Sequence, residues 1–181
     1  MISISFFTND PNKISVYFEK ESLKEKIAIM ELIINIMSQH KKIEYYIMIR
    51  GLGATIESFL EKTRSNMYVF IDKYKYKFIV RELPELYLVT EHIDDFFKFT
   101  EFLESFNEGE LCVHILTKNG EGALDKGDEK QDIVDYANKN ALLQIKVHSD
   151  GDVFEIENQN GNEYLIQICD HITENILKRT V

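Results

Sequence analysis

Cys112 and His114 are the first pair in this chain whose types and spacing could do chemistry. At i and i+2 on a strand their side chains share one face. A thiol beside an imidazole makes a nucleophile or half of a zinc site. Neither Cys169 nor His171 follows at a spacing that would complete a metal site. Alternation alone accounts for Leu111-Cys112-Val113-His114-Ile115 as strand packing, so no metal is expected. The run Arg50-Gly51-Leu52-Gly53-Ala54-Thr55 sits between a predicted strand and a predicted helix. A glycine-rich turn there lets backbone N–H groups close on a phosphate at a helix N-terminus. Ile56 stands where a dinucleotide fingerprint needs its third glycine, and no Gly-Lys-Ser/Thr follows as in a P-loop. The plain alternative is a strand-to-helix turn that needs glycine backbone angles.

The same turn resembles the acetyl-CoA loop of the acetyltransferase superfamily, whose pattern is Arg/Gln-x-x-Gly-x-Gly/Ala. Arg50 and Gly53 match, Thr55 takes the last small-residue position, and the resemblance covers only residues 50–55. It implies a small acyl-CoA-dependent N-acyltransferase with Arg50, Gly51 and Gly53 at the CoA pyrophosphate, which stands as the alternative function.

Two further sets bear carboxylates beside histidine: His92 with Asp94 and Asp95, and His148 with Asp150 and Asp152. Neither has the ligand order of a calcium loop or the two-histidine spacing of a zinc helix. Helix-start and turn roles explain them better. Lys73, Tyr74, Lys75 and Lys77 form a basic, aromatic-bearing bend. Lysines on an exposed strand edge discourage pairing with other chains, and that outweighs an RNA contact.

Charge carries the strongest functional signal. The 181-residue chain has a net charge of −10, unevenly spread. Residues 1–90 hold 13 Lys/Arg and 11 Asp/Glu, whereas residues 91–181 hold 8 and 20, leaving the second half at −12. Solubility of a small domain needs a net charge of only about 2–8. The tract Glu121, Asp125, Asp128, Glu129, Asp132 and Asp135, with Glu101, Glu104, Glu108 and Glu110 upstream, concentrates that excess. Such a face repels phosphates and attracts basic protein surfaces. The leading expectation is therefore a non-enzymatic binding protein without cofactor. It would neutralise a basic partner such as a nuclease or toxin, as inhibitors, immunity proteins and antitoxins do. Direct nucleic-acid binding is not expected. The Ile-, Lys- and Asn-rich composition is that of an AT-rich bacterial or phage gene.

The length suits a single domain, 1–181, with 44% hydrophobic residues to fill its core. Two cysteines make no disulfide framework. No basic signal-peptide start and no long apolar run occur, so a cytoplasmic protein with no membrane contact is expected.

These residues need a scaffold. Alternation predicts strands at Ile2–Phe7 and Ile14–Phe18 joined by the turn-rich Thr8–Asn12. A capping box at Ser22–Glu25 opens a helix over 22–40, with Leu23, Ile27, Met30, Ile34 and Met37 on one stripe widened by Ile29, Ile33 and Ile36. Further strands are predicted at 43–49, 86–89 and 111–116, a hairpin at 67–71 and 76–80, and helices at 54–63, 90–106 and 132–138. A polar loop is expected over 118–130. Leu142–Val147, Val153–Ile156 and Tyr164–Ile168 are predicted as a three-stranded meander, joined by Asp150-Gly151 and Asn160-Gly161, with a terminal helix from Asp170. The fold class is α+β, with a mixed or antiparallel sheet.

Overall fold

Period-two alternation of apolar and polar residues builds the first hairpin. The computed structural model describes residues 2–7, 10–18, 23–39, 42–50, 68–75, 82–90, 110–117, 130–148, 152–159 and 164–175. Strand β1 (Ile2–Phe7) runs antiparallel to β2 (Asp10–Phe18), with Ile4 opposite Val16. Ile14, Val16 and Phe18 are buried, while Tyr17 between them is 41% exposed. The strand starts earlier than the turn composition suggests, at Asp10, whose Oδ1 accepts the Asn12 N–H at 2.9 Å.

Helix α1 (Leu23–Ser38) buries Ile29, Met30, Ile33, Ile34, Ile36 and Met37. The stripe is rotated relative to the predicted one. Leu23 and Ile27 are only partly buried, and Lys26 is fully buried instead. Its long aliphatic stem suits that position, and its Nζ lies 5.9 Å from the Phe18 ring centroid.

The remaining elements are β3 (Ile43–Arg50), β4 (Tyr68–Lys75), β5 (Glu82–Thr90), β6 (Glu110–Thr117), α2 (Lys130–Asn140), β7 (Ala141–Val147), β8 (Val153–Asn158) and α3 (Tyr164–Asn175). The strands form one eight-stranded sheet in the order β1-β2-β8-β7-β6-β3-β5-β4. Every neighbouring pair is antiparallel, which makes the fold α+β. Strand β4 ends the order, so Lys73, Tyr74 and Lys75 belong to an edge strand and not to a bend; they pair with Pro84, Leu83 and Glu82. Pro84 lies beyond the β3–β5 register, where its missing N–H removes nothing from that ladder.

The C-terminal meander is corrected in its third member. Tyr164–Ile168 is the start of α3, not a strand. Strand packing would put Tyr164, Ile166 and Ile168 on one face, yet Ile166 is 66% exposed. Leu165, Ile168, Cys169 and Ile172 are buried instead, at i, i+3, i+4 and i+7. The C-terminal antiparallel triple is β6, β7 and β8, with α2 inserted between the first two.

Helices α1 and α3 pack together and share the main core with Ile14, Val16, Ile47, Val113, Ile145 and Phe154. Helix α2 packs against β5 and β6 over a smaller cluster of Tyr46, Val89, Leu116, Ile133, Ala137 and Ala141. Strand alternation places these two clusters on opposite faces of the sheet. No described helix is long and apolar enough to cross a membrane.

Candidate functional site

Register, set by the buried main face, decides what meets on the α2 face. Three central strands contribute two residues each. In one row Tyr46 of β3 stands opposite His114 of β6, which stands opposite Gln144 of β7. In the next row Met48 stands opposite Cys112, and Cys112 opposite Lys146. These six side chains line a cavity of about 420 Å³, with Val134 and Asn138 of α2 forming a further wall. The Tyr136 hydroxyl donates to Glu44 Oε1, which ties α2 to β3 beside it.

The row chemistry is specific. Gln144 Nε2 lies 2.8 Å from His114 Nε2 and 3.5 Å from Cys112 Sγ. With the amide nitrogen donating, His114 Nε2 accepts and the ring proton sits on Nδ1. That Nδ1 is buried with no hydrogen-bond partner among the described residues. The ring is 7% exposed, and the Tyr46 ring meets it edge-on at 5.1 Å between centroids. Burial first, and the charge of Lys146 second, push the His114 pKa down to about 4. The imidazole is therefore neutral at pH 7.

Cys112 and His114 thus do share a face, but Gln144 occupies the imidazole nitrogen that would receive a thiol proton. No group of three or more metal-ligating side chains occurs among the described residues. Cys169 lies in the α1/α3 core on the other side of the sheet. Burial, then the nearby Asp170 charge, push its thiol up to about 11. His171 is exposed on α3, its Nδ1 3.1 Å from the Gln167 carbonyl.

At the cavity edge His148 Nε2 pairs with Glu155 Oε1 at 3.3 Å, and Lys13 Nζ pairs with Glu155 Oε2 at 2.8 Å. Burial raises the Glu155 carboxyl, but its contacts with Lys13 and His148 outweigh that and hold it below its usual value. Lys13 is raised in turn, chiefly by its hydrogen bond to Glu155. Asp152 serves the β2–β8 junction, where its carbonyl accepts the Phe18 N–H at 2.9 Å.

Of the acidic tract, Asp132 and Asp135 fall on the exposed side of α2. Asp132 lies in the first turn, where it complements the helix dipole, and Asp135 Oδ1 accepts from Gln131 Nε2 at 2.7 Å. Glu121, Asp125, Asp128 and Glu129 lie outside the described residues. Arg50 is the last residue of β3, between Glu85 and Glu110 in the register. Gly51 and Gly53 lie outside the described residues, as do His92, Asp94, Asp95 and Asp150. Tyr46, Gln144 and Lys146 were not legible as site residues. Only the β3–β6–β7 pairing brings them to Cys112 and His114. No protein family, curated protein or solved structure matches this chain.

Proposed function

We propose that the chain is an acidic, non-enzymatic protein-binding module that masks a basic partner, in the manner of an inhibitor, immunity protein or antitoxin in the cytoplasm. The carrying observation is the −12 charge of residues 91–181, with Asp132 and Asp135 facing solvent on α2. Burial of Ile133 and Ala137 holds the other side of that helix to the sheet, so Asp132 and Asp135 are presented on a fixed support, with Lys139 exposed on the same side. Charge of this sign and density speeds capture of a basic surface and disfavours phosphates. The neutral, amide-bridged Cys112–His114 pair is consistent with the absence of covalent chemistry from this role.

Contacts are assigned to Glu121, Asp125, Asp128, Glu129, Asp132 and Asp135. Charge reversal at Asp132 and Asp135, and separately at Asp128 and Glu129, tests this once a partner is in hand. Weaker binding with a shallower salt dependence is expected. Unchanged affinity and salt dependence in both double variants would remove the assignment.

A further inference from the structure

The two strands that end the described sheet, β1 and β4, differ in kind. An edge strand presents a row of N–H and C=O groups that another strand can pair with, and charged residues, lysine above all, discourage that pairing. β4 carries Asp72, Lys73 and Lys75. β1 reads Ile-Ser-Ile-Ser-Phe-Phe and has neither charge nor proline. Its neighbour β2 adds only Asp10 and Lys13, whose charges cancel. Among the described strands nothing pairs with the outer side of β1.

Register restricts what fits that edge. β1 keeps one regular register against β2 from Ile2 opposite Phe18 to Phe6 opposite Ile14, and loses it between Phe6 and Phe7. The regular edge is therefore Ile2–Phe6, with Ile4 at its midpoint. In an antiparallel strand the outward N–H and C=O groups recur on alternate residues. Two copies of one strand then meet about a residue, and every residue finds a partner on its own face. Centred on Ile4, the pairing sets Ile4 opposite Ile4, Ile2 opposite Phe6 and Ser3 opposite Ser5. Ile4 stands opposite Val16 and packs, partly buried, against the main core, so a pair of Ile4 residues extends that apolar face. Ser3, on the other face, is exposed.

We infer that β1 is a self-recognition edge: two copies of this chain pair through Ile2–Phe6, antiparallel about Ile4, and continue one sheet across both. Helix α2 packs on β5 and β6, toward the other end of the sheet, so Asp132 and Asp135 stay open in the pair. The inference is independent of the binding role and has the opposite salt response. Two chains of net charge −10 repel each other, so added salt strengthens the pair, whereas it weakens capture of a basic partner.

Sedimentation equilibrium of the full chain, from about 5 to about 500 μM, tests the pairing. The average mass should rise from one chain toward two, with a dissociation constant on the order of 100 μM that tightens as salt is raised. Ser3→Lys, Ser5→Lys sets like charges opposite each other twice and should weaken association at least about fivefold. Ser3→Lys, Ser5→Glu sets opposite charges at the same positions and should restore it to within about threefold of the native chain. Amide exchange of the native chain needs no variant: alternate amides of Ile2–Phe6 should gain protection as concentration rises. The inference is overturned by a single-chain mass up to about 500 μM, or by β1 amides whose exchange ignores concentration. Association unchanged in the double-lysine variant, or weakened equally in both variants, also overturns it.

Discussion

Gln144 stands directly opposite His114 across β6 and β7, and its amide nitrogen lies 2.8 Å from the imidazole Nε2. One side chain therefore sets which ring nitrogen carries the proton. The same amide reaches Cys112 Sγ, so a pair that could have served as nucleophile and base is held as a neutral hydrogen-bonded row.

Gln144→Leu tests that row. It removes the donor to a buried nitrogen and should lower unfolding free energy by about 1–3 kcal/mol. Urea denaturation reads the change. An equally stable variant would show that the amide does not support the ring.

Acid should weaken the fold in a defined window. His114 titrates near 4 when folded and near its ordinary value of 6.5 when unfolded. Between those values the unfolded chain binds more protons, so stability rises with pH and is complete above about 6.5. The difference is on the order of 3 kcal/mol, at about 1.4 kcal/mol per pH unit. Glu155, whose folded value is lowered, adds a further loss as pH falls below its own ordinary value of 4.5. Denaturation curves from pH 4 to 8 should show the slope, and His114→Gln should flatten its upper part. A slope unchanged in that variant would assign the effect elsewhere.

Both thiols should be slow to react. Cys112 and Cys169 are 6% and 7% exposed and belong to opposite sides of the sheet, so they cannot reach each other. Labelling with Ellman's reagent at pH 8 should be slow in the folded protein and should release two equivalents in denaturant. Rapid labelling of either cysteine without denaturant would contradict this burial.

The acyl-CoA alternative has its own direct test. Arg50, the residue expected to meet pyrophosphate, sits in register between Glu85 and Glu110. Calorimetric titration with acetyl-CoA should give no binding heat up to millimolar ligand. A saturable isotherm weakened by Arg50→Ala would favour the transferase over the binding protein.

Much of the scaffold was legible because burial imposes periodicity. The apolar stripe of α1 and the alternation in β2 and β6 name their own elements, although Lys26 entered the core where Ile27 was expected. Tyr164–Ile168 misled because five apolar and polar residues fit either period, and only the exposure of Ile166 separates them. The cavity was half legible. Cys112 and His114 lie two apart in one strand, but Gln144 and Lys146 join them through pairing across a long insertion that contains α2. No local spacing encodes such a long-range register. The acidic surface was visible as composition, and the structure adds the direction in which Asp132 and Asp135 face.

The most direct test of the binding role is capture of a partner by the tagged chain from native lysate, washed at low and then high salt, beside the Asp132→Lys, Asp135→Lys variant. The account predicts one basic protein retained at low salt, weakened by the high-salt wash and reduced on the variant. Retention that ignores both salt and the charge reversal, or no retained protein at all, would contradict it.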